Sequence, residues 1–203
     1  MKIFKNFIDL KIELDNTKNL GFVPTMGGLH NGHISLIKHS KKKCKFTLVS
    51  IFVNPPQFNK KIDFKKYPRN LQKDISILNQ LKVDFLFLPS NKNIYKKKSE
   101  MKINIKKNDK ILCARYRPGH FEGVIAIINK FLLNIKAKYM FIGEKDFQQT
   151  FLIKKFIAKK FKTKIFVCKT IRDKNKVALS SRNYLLTNHD LKNSSTIAKL
   201  LIN

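Results

Sequence analysis

Short apolar runs alternate with amphipathic stretches along most of this chain. The apolar runs are rich in β-branched and aromatic side chains, a composition typical of strands that are buried on both faces. Such strands occur mostly in parallel sheets, because helices cover both faces of those sheets. The runs predict strands at residues 20–24, 46–53, 83–89, 139–142 and 165–168.

The stretches between these runs repeat their apolar residues with helical spacing. One of them places Leu71, Ile75, Leu78 and Leu81 at steps of four, three and three residues, which predicts a helix. The same kind of spacing predicts further helices within residues 34–41, 124–135 and 147–156. Since strands alternate with helices, we expect an α/β fold with a Rossmann-like parallel sheet and helices on both faces.

The order of the elements also predicts where a ligand binds. In open parallel sheets, ligands lie beyond the carboxyl ends of the strands, near the point at which the strand order reverses. We therefore expect the functional residues in the loops that follow the strands. Residues 91–110 are polar and Lys-rich, and we interpret them as a peripheral segment with one short strand at residues 101–105.

The composition is strongly basic, with a formal net charge of +30 over 203 residues. Of the 43 basic residues only five are arginines, and the lysines are scattered among Ile, Asn and Phe, which AT-rich codons favour. We therefore interpret the charge as a bias of composition and as solvated helix faces. A basic nucleic-acid-binding protein is the alternative from a different functional class.

The hydrophobic fraction of 43% is enough for a buried core. No apolar run approaches the roughly 20 residues that a membrane span requires. The first residues do not resemble a secretory signal, so we expect a cytoplasmic protein without a membrane. The cysteines Cys44, Cys113 and Cys168 are far apart and form no CxxC pair, which indicates thiols in a reducing compartment.

Residues 21–33 contain the most informative pattern. A short apolar run leads into a turn with Gly27 and Gly28, followed by His30 and His33 in a His-x-Gly-His spacing at the expected start of a helix. Glycines let the backbone approach phosphate closely, and a helix N-terminus offers free N–H groups. Paired imidazoles can donate hydrogen bonds to a leaving phosphate. The pattern indicates a nucleoside triphosphate site, although a Gly-rich turn by itself is often only a turn.

Polar residues also follow the other predicted strands. Asn54 and Gln57 lie in a loop stiffened by two prolines, and Lys145 follows the strand at residues 139–142. Residues 179–183 read LSSRN, in which Arg182 offers a guanidinium to polyphosphate oxygens. Each feature alone has a structural explanation, but their joint occurrence at strand ends indicates one shared site.

The motifs together resemble one family. VPTMGGLHNGH, SIFVNPPQF, YPR, RPGHF, GEKDFQQ and LSSRN are similar, in this order and over nearly the whole chain, to the motifs of pantoate–β-alanine ligases. The His-x-Gly-His spacing alone would indicate only the wider HIGH-type nucleotidyltransferase superfamily, of which another member is the nearest alternative. The resemblance implies an amide-forming acid–amino-acid ligase. Such an enzyme condenses (R)-pantoate with β-alanine through a pantoyl adenylate and releases AMP and pyrophosphate.

The resemblance also implies roles for individual residues. His33 takes the proton-donor position with His30 beside it on the phosphates, Lys145 stabilises charge at the α-phosphorus, and Arg182 holds the departing phosphates. The implied ATP-binding residues are Met26, Gly27, Gly28, Leu29, His30, Asn31, Gly32, His33, Gly143, Glu144, Lys145, Asp146, Ile171, Leu179, Ser180, Ser181 and Arg182.

Further roles follow from the same resemblance. Gln57 is shared between pantoate and β-alanine, Gln149 binds pantoate, and Asn54 helps to hold pantoate. Mg²⁺ is expected on the ATP phosphates without identified protein ligands. Asp74 is expected to assist through water, and a homodimer is expected because relatives are commonly dimers.

The sequence departs from the family at a few positions. Gly28 stands where alanine is usual, and Ala114 stands where glycine is usual. Family members continue for about 70–80 further residues, a small C-terminal domain that caps the active site. We therefore expect a catalytic domain at residues 1–187, a remnant of the C-terminal domain at residues 188–203 that forms a short helix, and a lid that is largely absent.

Overall fold

The computed structural model describes residues 1–95, 103–157 and 160–202. Within these residues the centre of the fold is a six-stranded parallel sheet in the order β1-β4-β3-β2-β5-β6. The predicted α/β class is therefore confirmed. The strands are β1 (Lys2–Phe4), β2 (Leu20–Thr25), β3 (Phe46–Ile51), β4 (Phe85–Phe87), β5 (Tyr139–Gly143) and β6 (Lys164–Cys168).

Helices connect the strands and cover the sheet. Short 3-10 helices at Pro55–Gln57, Lys107–Asp109 and Ser181–Leu185 lie in the loops. The α-helices are α1 (Phe7–Leu14), α2 (Asn31–Lys43), α3 (Lys61–Lys66), α4 (Leu71–Gln80), α5 (Asn91–Ile94), α6 (Cys113–Tyr116), α7 (His120–Asn134), α8 (Phe147–Ile157) and α9 (Asn188–Ile202).

The core has two parts, one on each face of the sheet. Successive residues of a strand point to opposite faces, so Phe22 of β2 joins one cluster and Val23 joins the other. The first cluster contains apolar side chains of α1, α7 and α8, and the second contains those of α2 and α4. The prediction of helices on both faces is therefore confirmed.

The strand order reverses between β2 and β5. The chain passes from β2 through β3 to β4 in one direction and returns to β5 on the other side of β2. Gly21 pairs with Thr47 of β3 and with Tyr139 of β5, which places β2 in the middle of the sheet. The carboxyl ends of β2 and β5 are thus the expected place for a ligand.

Two predictions about local structure need correction. The strand predicted at residues 101–105 is wrong where it can be judged: residues 103–105 form no strand, and residues 101 and 102 lie outside the described ranges. Ile105 is buried in the core without strand pairing. β1 itself was not predicted, because three residues are too few to show a period.

The helix predicted at residues 147–156 is present as α8, but its phenylalanines do not define its buried face. Phe147 and Phe151 are exposed, whereas Leu152 and Ile153 pack into the core. The final helix is present as α9. None of the helices in the described ranges has both the length and the apolar character that a membrane crossing requires. Cys44, Cys113 and Cys168 are free thiols, as predicted.

Candidate active site

A cleft of about 230 Å³ opens at the carboxyl ends of β2 and β5. Residues from most of the motifs singled out in the sequence meet in it, although they are far apart along the chain. The predicted site residues that line the cleft are Met26, His30, Gly32, His33, Asn54, Gln57, Gly143, Lys145, Asp146, Gln149, Ile171, Leu179, Ser180, Ser181 and Arg182.

The Gly-rich turn after β2 is shaped by a buried carboxylate. Gly27 and Gly28 have φ values of 78° and 61°, a left-handed conformation that glycine adopts without strain. Asp74 of α4 accepts hydrogen bonds from the backbone N–H of Gly28 (2.9 Å) and of Leu29 (2.8 Å). Both carboxylate oxygens thus hold the turn, and the expected assistance of Asp74 through water stays a prediction.

The two predicted histidines cap the N-terminus of α2. Nδ1 of His30 accepts from the backbone N–H of Gly32 (3.1 Å), and Nδ1 of His33 accepts from the backbone N–H of His30 (3.3 Å). A Cβ on Gly32 would lie 2.7 Å from Cε1 of His30, so this cap requires a glycine there. Since Nδ1 accepts in both rings, each neutral imidazole carries its proton on Nε2.

Burial keeps both imidazoles neutral near pH 7. Burial, reinforced by the nearby positive charge of Lys145, lowers the pKa of His30 to about 4. Burial lowers the pKa of His33 to about 3, with smaller contributions from His30 and Lys145. The two ring centroids are 4.1 Å apart. The helix start thus presents a pair of neutral N–H donors beside a cationic side chain.

Two cations extend this donor set. Nζ of Lys145 lies 3.4 Å from Oδ1 of Asp146, and the lysine side chain is 35% exposed. Arg182 forms a two-pronged ion pair with Asp63 of α3, at 3.0 Å from Nε to Oδ1 and 2.9 Å from Nη2 to Oδ2. Its guanidinium also lies 5.1 Å from the centre of the Tyr67 ring. A carboxylate of the protein thus occupies the guanidinium edge that a phosphate can bind.

The Ser-Ser-Arg motif is attached to the Gly-rich turn. Oγ of Ser181 donates to the carbonyl oxygen of Gly28 (2.9 Å), which joins residues 153 positions apart. Ser180 caps the short 3-10 helix by accepting from the backbone N–H of Arg182 (3.2 Å). A Cβ on Gly28 would lie 3.2 Å from Ser181, so the two motifs pack closely.

The other end of the cleft contains side-chain amides. Asn54, only 1% exposed, donates from Nδ2 to the carbonyl oxygen of Gly123 (3.0 Å) and to Oε1 of Gln57 (3.2 Å). Nε2 of Gln57 lies 2.8 Å from the sulfur of Met26. The hydroxyl of Tyr95 donates to Oδ1 of Asn54. Gln149 lines the cleft from α8.

Five predicted ATP-binding residues do not line the cleft. Gly27, Gly28 and Leu29 form the turn behind it, and Asn31 faces a neighbouring surface groove. Glu144 accepts a hydrogen bond from the backbone N–H of Thr170 (2.8 Å). Their contacts with ATP stay predictions.

Sequence reasoning missed several contributors to the site. The apolar wall of the cleft was predicted only as core, because helical spacing does not reveal that one end of a buried face borders a cavity. Asp63 and Tyr95 carried no signal, since their partners are distant in sequence. The apolar wall includes Phe52, Val124, Ile127, Ile128 and Phe131.

Comparisons with known proteins agree with this geometry. A family model described as pantoate-beta-alanine ligase matches residues 2–203. A curated pantothenate synthetase from Francisella tularensis subsp. mediasiatica is 46% identical over 199 residues, which is 97% of this chain and 76% of the relative. A pantothenate synthetase from Francisella tularensis subsp. novicida is 45% identical over the same shares.

Solved structures lead to the same family. The pantoate-beta-alanine ligase of Francisella tularensis, complexed with beta-gamma ATP and beta-alanine, has a TM-score of 0.95 at 43% identity and covers 100% of this chain and 80% of that chain. The pantothenate synthetase of Thermus thermophilus has a TM-score of 0.94 at 30% identity, covering 100% and 74%. With both its sequence and its fold matched along essentially all of its length, the chain belongs to the pantoate–β-alanine ligase family.

Proposed function

We propose that the cleft between β2 and β5 is where this chain carries out the reaction of its family. The family reaction is the ATP-dependent condensation of pantoate with β-alanine, and this chain is a ligase that forms that amide bond. The observation that carries the proposal is the convergence of His30, His33, Lys145 and Arg182 with Gln57 in one cleft. The alternative of a basic nucleic-acid-binding protein is not favoured, because the family match covers the whole chain.

The α2 end of the cleft binds the triphosphate of ATP. The N-terminus of α2 attracts negative charge, and the Nε2–H groups of His30 and His33 donate to phosphate oxygens. Because these imidazoles are neutral in the free protein, they bind as hydrogen-bond donors. When ATP binds, the negative charge of its phosphates raises the pKa of both imidazoles, which moves His33 toward the proton-donor role.

Lys145 and Arg182 neutralise charge during the first step. The carboxylate of pantoate attacks the α-phosphorus, a new P–O bond forms, and the bond to pyrophosphate breaks. The five-coordinate phosphorus gains negative charge on its oxygens, which Lys145 stabilises. Arg182 exchanges Asp63 for the departing phosphates, since both offer paired oxygens to the same guanidinium.

The amide end of the cleft selects the acid. Gln57 and Gln149 bind the hydroxyl and carboxylate oxygens of pantoate, and the apolar wall accepts its two methyl groups. In the second step the neutral amine of β-alanine attacks the acyl carbon and a C–N bond forms. AMP leaves with the electrons of the C–O bond, and the nitrogen loses one proton to solvent. Binding in a cleft limits the access of water to the adenylate.

Mg²⁺ would enter this site together with ATP. Within residues 1–95, 103–157 and 160–202, no group of three His, Cys, Asp or Glu side chains is arranged to hold a metal ion. Asp146 lines the cleft and offers a carboxylate oxygen, which fits the hard ligands that Mg²⁺ prefers. An ion held by Asp146 would neutralise negative charge on the triphosphate.

Three expectations from the sequence stay predictions. They are a cytoplasmic location, a homodimer, and the division of the chain at residue 187. Sedimentation equilibrium of the purified chain tests the homodimer directly.

An AMP-release assay tests the function. Purified protein with ATP, Mg²⁺, pantoate and β-alanine is expected to release AMP and to form pantothenate, and omission of any one of them is expected to stop pantothenate formation. AMP release that ignores pantoate, or tight and steeply salt-dependent binding to a polynucleotide without turnover, would contradict the assignment.

A further inference from the structure

We propose that His120 is a positioning residue for recognition of the acid substrate, acting through the backbone of Gln57. The proposal rests on the proposed function, in which Gln57 contacts pantoate and β-alanine. Nδ1 of His120 lies 2.5 Å from the carbonyl oxygen of Gln57, so Nδ1–H donates to it. The two partners are 63 positions apart, so no local pattern in the sequence reveals this bond.

The loop that holds Gln57 needs anchors from elsewhere in the fold. Pro55 and Pro56 have no backbone N–H, so the loop has few donors of its own. Within its 3-10 helix the backbone N–H of Gln57 donates to the carbonyl oxygen of Asn54 at 3.3 Å. Without external contacts the glutamine at the end of this loop would sample several orientations.

The first turn of α7 provides those anchors. His120 begins the helix and Gly123 follows one turn later, so both face the loop. A Cβ on Gly123 would lie 2.9 Å from the carbonyl group of Pro56, which shows that helix and loop backbones are in direct contact. The carbonyl oxygen of Gly123 also accepts from Nδ2 of Asn54.

The chain of contacts ends at the amide that faces the cleft. Tyr95 binds Oδ1 of Asn54, and Asn54 in turn donates to Oε1 of Gln57. The Nε2 of Gln57 is thereby directed at the sulfur of Met26, a weak acceptor. A substrate oxygen is a stronger acceptor, so the oriented Nε2–H is available for exchange to substrate.

His120 is well suited to this role because it stays neutral. Burial lowers the pKa of His120, and the positive charges of Arg117 and Arg182 lower it further. The hydrogen bond to Gln57 and the negative charge of Asp146 raise the pKa, but the net shift is downward. The side chain is only 7% exposed. A neutral imidazole with Nδ1–H leaves no buried charge beside the loop.

The test separates positioning from simple folding by comparing two substitutions. His120→Leu removes the donor and leaves a buried carbonyl oxygen unpaired. We expect the KM values for pantoate and β-alanine to rise about tenfold, the scale of one lost buried hydrogen bond. The KM for ATP should change much less, because its proposed ligands lie on other elements. His120→Asn keeps a donor near the Nδ1 position, so its KM values for pantoate and β-alanine should stay close to those of the unmodified protein.

Two further variants complete the design. Tyr95→Phe removes the hydroxyl that binds Asn54. It should raise the KM for pantoate about threefold and leave the KM for ATP unchanged. This variant also tests the orientation of Gln57 if His120→Leu does not fold. His189→Leu, on the exposed side of α9, should leave every KM unchanged.

The outcomes are distinguishable. Equal KM values for His120→Leu and His120→Asn, or equal increases for ATP and pantoate, would overturn the positioning role. An unmodified protein that shows no pantoate-dependent AMP release would instead refute the proposed function.

Discussion

The two ends of the cleft are built in different ways. At the α2 end, which is proposed to bind the nucleotide, the helix cap is local, because both capping hydrogen bonds of His30 and His33 join residues two or three positions apart. Only the Gly-rich turn behind this cap is held from a distance, by Asp74. The amide end is assembled from distant segments, since Asn54 is held by residues 41 and 69 positions away. The comparison teaches that a helix terminus carries its own anion site, whereas an oriented amide depends on the packing of the whole domain.

The largest effect is expected from a substitution in the part of the cleft that is proposed to bind the nucleotide. Lys145→Ala should lower kcat about 100- to 1,000-fold, because it removes a cation that stabilises charge in the transition state. The thermal midpoint should change little, since the lysine is partly exposed. Lys138→Ala, at the opposite end of β5, is the matched control and should keep full activity. A kcat within twofold of the parent would exclude Lys145 from the chemistry.

A second variant tests whether the Gly-rich turn depends on Asp74. Asp74→Asn replaces a carboxylate that accepts two backbone N–H groups, so the turn loses one acceptor and faces an opposing donor. We expect a loss of about 2 kcal/mol in the free energy of unfolding, measured with urea. The KM for ATP should rise while the KM for pantoate stays near its original value. A rise for pantoate alone would reverse our division of the cleft.

A third variant concerns the ion pair between Arg182 and Asp63. Asp63→Asn removes the carboxylate that competes with phosphate for Arg182. The KM for ATP should fall about two- to fivefold, the scale of a partly exposed ion pair, and the difference should shrink at high salt. Asp9→Asn, in the first turn of α1, is the control. An increase in the KM for ATP would show that Asp63 supports binding.

A fourth prediction concerns the dependence of stability on pH, which follows from the two histidines at the start of α2. The pKa of each histidine is 6.5 in the unfolded chain but about 4 for His30 and about 3 for His33 in the folded protein. Below pH 6.5 the unfolded chain therefore binds protons that the folded protein excludes, and this contribution to stability is lost as the pH falls toward 4.

Urea unfolding of the parent and of His30→Asn, which keeps a good helix cap, checks this dependence. The variant should lose less stability than the parent between about pH 7 and about pH 4.5, because it lacks one of the two titrating groups. Equal losses would contradict neutral, buried imidazoles at this helix start.

Much of the central sheet could be predicted from the sequence, and much of its surroundings could not. The strands β2, β3 and β5 are mostly buried runs, and their predicted bounds lie within a few residues of the observed ones. β1 and α1 were missed because their short segments show no clear period. Residues 103–105 of the strand predicted at residues 101–105 form no strand, because a short apolar segment can be buried by packing alone, as Ile105 is.

The residues of the candidate site likewise fall into those that the sequence predicts and those that it does not. His30, His33, Lys145 and Arg182 could be named beforehand because each lies within a recognisable motif, and all of them line the cleft. The roles of Asp63, Asp74, Tyr95 and His120 could not. Each of these residues acts on a partner that lies 41 to 119 positions away, and no local pattern encodes such a pairing.

The sequence by itself determined the alternation of strands and helices, the family, and the residue types at the strand ends. Hydrophobic period and backbone preference act over a few residues, so they can be read along the chain. The tertiary structure alone decided which carboxylate shapes the glycine turn, which carboxylate pairs with Arg182, and how the Gln57 amide is oriented. Those outcomes depend on which distant groups lie within hydrogen-bond distance of one another once the sheet has assembled. The packing of the whole domain sets those distances.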